Sequence, residues 1–405
     1  MDPQLSFNPS SPSLRKSNRM RSAIVLGSSV NGLGIIRALG RCSIKVYAFY
    51  KNRGSEIGAK SKYCIPVSYT SEKDLLSKVI SVAELEKLNP VLFCSSDEMI
   101  SFVIGNNNRL KNFYAYNFGD IHLIRALLDK NEYSKLLKKY TIPYPKTLYP
   151  KEFTSHGKML QELESMLFPL LVKPAITFKN SSIAFEKNIV LHAYKDMLGF
   201  IHQNRESLHE MIFQEIIPHK DEDIYYCTGY SDRHGKITTL FSAHKIRSYY
   251  PEFGINSFSV SQELPEVRQL AVSYLKKIHY KGLFDIEFIF DKRDLQYKFI
   301  EINPRTTLSN SHSESCGINI PYSAYCDLAG IDYNHNEQQK DGVYWIYFLI
   351  DSGSFYRKLK KRQITPFQWV SSIIKARSYA VWAKDDIKPF FFSVYKSLTN
   401  RMGIL

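Results

Sequence analysis

Two short segments near residue 290 restrict this chain more than any other feature. Phe284-Asp285-Ile286-Glu287-Phe288-Ile289-Phe290 and Phe299-Ile300-Glu301-Ile302-Asn303-Pro304-Arg305 both alternate polar with apolar side chains, the period of a strand with two unlike faces. A charged turn at 291–294 separates them, so the pair reads as a β-hairpin. Asp285 and Glu287 share a face of the first strand, and Glu301 and Asn303 share a face of the second. A connection with an odd number of residues brings all four onto one face of the hairpin. An even connection without a bulge separates them. The intervening Ile286, Phe288, Ile300 and Ile302 are expected to face the core.

Carboxylates gathered on one sheet face repel each other and resist desolvation unless a cation joins them. Carboxylate and amide oxygens with no His or Cys nearby are hard ligands suited to Mg²⁺ and nucleotide phosphates. Arg305 follows Asn303 by two residues and puts a guanidinium on the same side, where it could meet an anion. The alternative is a solvated polar face on an amphipathic hairpin, which E-x-N-P-R argues against.

Composition sets the outer limits. The chain has 405 residues, 44% apolar and 23% charged. That is ordinary globular usage and enough length for two or three cores. No apolar run reaches the ~18 residues of a membrane span, and residues 1–21 lack the apolar segment of a secretory signal. The six cysteines form no C-x-x-C pair; they read as buried reduced thiols, which points to a cytoplasmic location. The 54 Lys and Arg against 39 Asp and Glu give a net charge of +15. Without helix-turn-helix, zinc-finger or RNA-binding aromatic spacing, nucleic acid is not the expected partner. Nucleotide phosphates are the economical anion.

The chain divides by pattern. Residues 1–21, rich in Ser, Pro, Asn, Lys and Arg, read as a flexible tail. Ala23-Ile24-Val25-Leu26, a glycine-rich stretch Gly27 to Gly34, a helix-like 35–40 and a strand over 44–49 open a parallel α/β layer. Val91-Leu92-Phe93-Cys94 adds a buried strand, and Ser95-Ser96-Asp97-Glu98 caps the next helix. Strands are expected at Leu170-Leu171-Val172-Lys173-Pro174 and over 211–218. The i, i+3, i+4 pattern of Val267, Leu270, Ala271, Tyr274, Leu275 and Ile278 predicts a helix over 266–279. Beyond Gly330 the residues turn aromatic and basic. A strand is expected near 345–350, and Thr365-Pro366-Phe367-Gln368 starts a helix.

The glycine stretch is not G-x-G-x-x-G, and the second strand ends in Phe49-Tyr50-Lys51 with no carboxylate for a ribose. Both facts argue against a nicotinamide dinucleotide. The turn is either a feature of the fold or one wall of a small-molecule site.

Taken in order, these motifs resemble the ATP-grasp superfamily, in particular its carboxylate–amine ligases, over residues 22–330. The resemblance implies an α/β and α+β architecture. An N-terminal parallel α/β pre-ATP-grasp domain (22–128) precedes a two-lobed ATP-grasp domain (129–330, lid lobe about 150–215) and a C-terminal aromatic and basic helical appendage (331–405). It implies ATP as nucleotide and two Mg²⁺ ions, or Mn²⁺, held by Glu287, Glu301 and Asn303, with Asp285 the alternative first ligand. Arg305 becomes the anion contact. Lys130, in Asp129-Lys130, matches the first nucleotide lysine. Lys173, in Leu171-Val172-Lys173-Pro174, matches the lysine that reaches the phosphates. Gln214-Glu215-Ile216-Ile217-Pro218 resembles the interlobe hinge, with Glu215 beside adenine and Glu222 as the best-spaced ribose ligand, Asp221 and Asp223 being alternatives. His244-Lys245-Ile246-Arg247 resembles the segment that brings a cation to the transferred phosphate, which nominates Arg247.

One departure stands out. The family's phosphate-covering loop is usually glycine-rich, whereas residues 175–187 contain no glycine; Ser181, Ser182 and flanking amides could still cradle phosphate there. The activity implied is amide formation between a small-molecule carboxylate and an amine, through an acyl phosphate, on an amino acid or a surface-polysaccharide precursor. The rivals are a carboxylase, another phosphoryl transfer, or a silent nucleotide-binding module. Asp385-Asp386-Ile387-Lys388-Pro389 is similar to the tail of bacterial family members found with surface-polysaccharide genes. The basic aromatic tail suits either packing on the catalytic domain or contact with a membrane surface or lipid-linked substrate. Oligomeric state has no signature in the sequence, and a homo-oligomer is allowed.

Overall fold

The computed structural model describes residues 20–51, 56–176, 188–249, 254–334 and 338–401. The tail expected over 1–21 lies almost wholly outside them. Three sheets carry the described chain. The first holds β1 (Ala23–Leu26), β2 (Val46–Lys51), β3 (Ile65–Tyr69) and β4 (Val91–Cys94) in the order β3-β2-β1-β4. All its pairings are parallel, as crossover helices on a buried sheet require. The second holds β5 (Thr147–Leu148), β6 (Leu170–Pro174), β7 (Ile189–Leu191) and β8 (Met211–Glu215) in the order β5-β8-β6-β7, all antiparallel.

The third and largest sheet runs β13-β12-β9-β10-β11-β14-β15. Its strands are β9 (Ile224–Ser231), β10 (Ile237–Ser248), β11 (Asn256–Ser261), β12 (Gly282–Asp291), β13 (Gln296–Asn303), β14 (Tyr344–Ile346) and β15 (Ala376–Tyr379). The amphipathic helix Pro265–Lys277 buries Val267, Ala271, Tyr274 and Leu275. These meet Phe284, Ile286, Phe288, Phe299 and Ile302 from β12 and β13 in one core. One face of the hairpin is thus sealed against a helix, and the other is free to line a cavity.

The C-terminal part is helical, as the sequence suggests, and it is also bound into the sheet. β14 adds antiparallel to β11, and β15 adds parallel to β14. The expected strand over 345–350 stops at Ile346, and a helix, Phe348–Lys360, takes over. The helix Pro366–Lys375 begins as read, with Thr365 and Gln368 closing a reciprocal cap. The Asp385-Asp386 pair belongs to an internal clamp. Arg37 of the helix Val30–Gly40 donates to the Asp386 carboxylate at 3.0 Å, and this pair is almost fully buried. Ser61 also donates to Asp386, at 2.6 Å, while Arg41 holds Asp385 at 2.9 and 3.0 Å.

The glycine stretch serves both readings: its glycines pack closely, and Ser29, Val30 and Asn31 line a cavity. The helix starts at Val30 rather than near Ile35 and contains Gly32 and Gly34. A Cβ on Gly34 would lie 1.6 Å from Asn310 Oδ1. Asn310 Nδ2 donates to the Asn31 carbonyl at 2.9 Å, and Asn31 Nδ2 donates to the carbonyl of Thr306 at 2.6 Å. The helix is therefore locked against the loop that follows Arg305.

Behind that loop His312 is wholly buried. Its Nε2–H donates to the Val343 carbonyl at 2.8 Å, which leaves Nδ1 to accept from Tyr226 Oη at 2.8 Å. Burial holds the ring neutral and pushes its pKa down to about 4.

Two outcomes are expected. Gly34→Ala, a change that gains about 1 kcal/mol of propensity in an exposed helix, instead lowers stability by about 1–3 kcal/mol through overpacking; chemical denaturation measures it. The stabilisation carried by the neutral His312 ring is complete above the unfolded pKa of 6.5. It drains away as pH falls toward about 4, a loss of about 3 kcal/mol across that window. His312→Gln, less stable at neutral pH, is expected to show a flatter acid limb in melting curves at pH 7.5, 6 and 5.

Candidate active site

Between the second and third sheets lies a cavity of about 740 Å³. Its floor is the polar face of β12 and β13. Asp285 pairs directly with Asn303, and Glu287 with Glu301. All four stand on one face and line the cavity. The way they get there is specific. Asp291 pairs with Gln296, so the connection, 292–295, is even and would place Glu301 and Asn303 on the core side. A register shift between Glu287 and Phe288 corrects this by leaving Ile300 as an extra residue in β13. That is a β-bulge. Ile300, expected in the core, consequently lines the cavity instead.

The floor is crowded with charge, and the fold answers with cations. Lys245 of β10, 3% exposed, donates to Glu287 at 2.8 Å. Arg305 donates to Asp97 Oδ1 at 2.6 Å and to Asn303 Oδ1 at 3.0 Å. Asp285 is 1% exposed. Burial, and then the Glu287 charge, push its pKa up to about 7, with Thr307 donating to it at 3.2 Å.

The opposite wall is cationic. Lys173 at the end of β6 and Lys130 at the start of the helix Lys130–Lys139 both line the cavity. Lys130 Nζ donates to the Pro174 carbonyl at 3.3 Å, and Lys173 Nζ to Gln214 Oε1 at 3.1 Å. Burial, with the neighbouring Lys130 charge second, lowers the Lys173 pKa to about 8. Leu171, Ile216, Ile217, Ile224 and Ile289 supply an apolar slot between the walls.

Several nominated residues stand elsewhere. Arg247 does not line the cavity; it is 4% exposed and donates through two nitrogens to Asp351, each at 2.9 Å, with its guanidinium 4.2 Å from the Phe258 ring centroid. The reason is a second bulge. Lys245 pairs with Ser259 but Arg247 with Phe258, so Ile246 is an extra residue that turns Arg247 away from the face of Lys245. Lys245 is the cation that faces the floor, and nothing in its spacing distinguishes it from Arg247. Glu222 is exposed and off the cavity lining. Asp221 and Asp223 are off it too: Asp221 accepts from Lys358 at 2.6 Å, and Asp223 from Lys292 at 2.7 Å. Glu215 does line the cavity, with its carboxylate taken by the Lys146 amide at 2.8 Å and by Arg293 at 3.3 Å. Ser181 and Ser182 fall outside the described residues. Asp97 was legible only as a helix cap, yet it is the anchor of Arg305.

The donor set suits magnesium carried on a phosphate. Among the described residues no three His, Cys, Asp or Glu side chains gather closely enough to hold a metal unaided. Mg²⁺ rarely needs such a cage, since one or two carboxylates and substrate phosphates suffice. All six cysteines are unpaired. Among the described residues no helix is long and apolar enough to cross a membrane.

Comparison with known proteins agrees with this geometry. Residues 258–325, which include the whole hairpin, match the family model described as the carbamoyl-phosphate synthase L chain ATP binding domain. The chain is 25% identical over 318 residues to a D-aspartate ligase of Enterococcus faecium (strain Aus0004), covering 73% of this chain and 74% of that one. Among solved structures it is similar to a biotin carboxylase complex from Campylobacter jejuni, with a TM-score of 0.60, 16% identity and coverage of 80% and 74%. It is also similar to an N5-carboxyaminoimidazole synthetase from Staphylococcus aureus complexed with ADP, with a TM-score of 0.59, 15% identity and coverage of 80% and 82%. Fold, motif order and relatives point the same way: residues 258–325 match an ATP-binding domain, and the rest of the chain is similar to ATP-grasp enzymes in fold.

Proposed function

We propose that this protein is an ATP- and Mg²⁺-dependent ligase that joins a small-molecule carboxylate, an amino acid, to an amine. The observation that carries the reading is the opposition of charge across the cavity. Lys130 and Lys173 stand on one wall, and Asp285, Glu287 and Glu301 on the other. A simple anion meets repulsion from the floor, and a simple cation meets repulsion from the lysines. A triphosphate carrying divalent ions satisfies both walls.

In this reading Glu287, Glu301 and Asn303 hold the ions. When bound, the ions neutralise charge on the phosphates. Lys130 and Lys173 bind phosphate oxygens, and a bound anion would offset the burial and the Lys130 repulsion that lower the Lys173 pKa to about 8. Lys245 and Arg305 remain on the floor as cations close to the transferring group. Arg305, fixed by Asp97, has a restricted orientation, which suits it to position a substrate carboxylate. The apolar slot beside Ile216 and Ile289 fits a planar base.

A carboxylate resists an amine because its leaving group would be oxide. Attack of a carboxylate oxygen on the γ-phosphorus releases ADP and forms an acyl phosphate. The amine then attacks the acyl carbon, phosphate departs and the nitrogen loses a proton. Such a sequence needs positioned charge more than a protein nucleophile. The relative named D-aspartate ligase supports an amino acid as the carboxylate.

The test is incubation with ATP, Mg²⁺ and panels of amino acids, D-aspartate among them, and amines, followed by mass spectrometry. An amide with matched ADP release is expected; a carboxylated product or a phosphoester would replace this reading with another. Glu301→Gln is expected to reduce ADP release by about 100-fold or more, as the loss of a transition-state charge contact does, with an unchanged melting temperature. Lys245→Met is expected to reduce it more than Arg247→Lys, since only Lys245 faces the floor. Turnover that survives Glu301→Gln would displace the site.

A further inference from the structure

The helix Pro366–Lys375 has two unlike faces. Trp369 and Ile373 look inward. Trp369 stacks on Phe355 with 4.4 Å between centroids and donates its indole N–H to Asp351 at 2.8 Å. Ile373 packs beside Phe258 and Ile346. Phe367, Val370 and Ile374, at spacings of three and four, fall on the opposite side. They are 82%, 47% and 68% exposed. A helix of a water-soluble domain ordinarily turns such a stripe to a core.

The surroundings say what covers it. Between Asp351 and Asp385 the sequence has no Asp or Glu and eight Lys and Arg. Lys360, Lys361 and Arg362 occupy the turn that leads into the helix, and Lys375 and Arg377 lie at its far end, all exposed. Among the described residues Lys360, Lys361, Arg362 and Lys375 form no ion pair. The preceding helix exposes Tyr356 and Leu359 next to this turn. A second copy docked face to face would bring the two sets of cations together. The N-terminal segment is also a poor cover, because it carries Arg15, Lys16 and Arg19 against Asp2. An apolar stripe bounded at both ends by unpaired cations matches the depth profile of an anionic bilayer: acyl chains beneath, charged headgroups around.

We propose that the helix Pro366–Lys375 is an interfacial anchor that lays Phe367, Val370 and Ile374 into an anionic lipid surface, held by Lys360, Lys361, Arg362 and Lys375. This goes beyond the ligase reading and does not rest on it. None of these residues lines the cavity, so binding to lipid and turnover fail separately.

The full chain is mixed with vesicles of phosphatidylcholine alone and of phosphatidylcholine with phosphatidylserine, then sedimented at low and high salt. Binding is expected to the anionic vesicles and to weaken with salt. Phe367→Ser with Ile374→Ser, and separately Lys360→Ala with Lys361→Ala and Arg362→Ala, are each expected to weaken it by about tenfold or more. Both variants should keep the parent's melting temperature and its ADP release. If the apolar variant melts early, the cation variant alone decides. No binding to anionic vesicles, binding indifferent to the cation variant, or a lipid-free dimer that the apolar variant dissolves would each overturn the proposal; the last would assign the stripe to a second copy.

Discussion

The polar face of the hairpin depends on keeping like charges together. Asp285, Glu287 and Glu301 occupy one side of a two-stranded hairpin whose other side is sealed by Tyr274, Phe288 and Phe299. Left alone, such a cluster would disperse or take up protons. Burial first, and the Glu287 charge second, raise the Asp285 pKa. Two compensations hold the face in place. Lys245 reaches in from β10 to Glu287, and Arg305 closes the far end by gripping Asn303 and Asp97 together. Both cations arrive from fixed strand or loop positions, so the carboxylates keep their spacing without collapsing onto each other.

Two bulges decide what that face contains. Ile300 re-phases β13 so that Glu301 and Asn303 join Asp285 and Glu287; Ile246 re-phases β10 so that Lys245 faces the floor while Arg247 leaves it. Single-residue insertions of this kind invert the face of everything beyond them. They explain why reading from sequence succeeded and failed within one sheet. Alternation located the hairpin and put Asp285 with Glu287 and Glu301 with Asn303, but left open whether the two pairs share a face, which the bulge at Ile300 decides. It could not choose between Lys245 and Arg247, two residues apart on one strand, because parity is the very quantity a bulge changes. It also placed Ile300 in the core for the same reason.

Other readings depended on how local the signal is. Thr365-Pro366-Phe367-Gln368 was legible because a reciprocal cap is contained in four residues. Asp97 was read as a cap, and its partner Arg305 lies 208 residues away; no local pattern carries that information. The stretch from Gly27 to Gly34 left a fold feature and a cavity wall equally open. Gly32 answers to the Gly27 carbonyl within the same turn, whereas Gly34 answers to Asn310, a contact made across the fold. Asp221, Glu222 and Asp223 had the right spacing for a ribose, but Lys358 and Lys292 hold the first and last away from the cavity, and the turn they form leaves Glu222 in solvent.

The C-terminal segment joins these two themes of compensation and placement. Asp351, buried, accepts from Arg247, Ser257 and Trp369 at the back of the large sheet. Asp386, also buried, takes Arg37 from the first layer, and Asp385 takes Arg41 at the surface. These contacts join the segment to the first layer and to the large sheet, and no Asp or Glu lies between Asp351 and Asp385. The excess of positive charge is thereby concentrated on the outside of the helices that follow Asp351, around a stripe of exposed apolar side chains. A positive surface that served only solubility would need no such stripe, and a stripe that served only packing would need no unpaired cations at its ends. The two features meet around one helix, which Trp369 and Ile373 pack against Asp351, Phe355, Phe258 and Ile346.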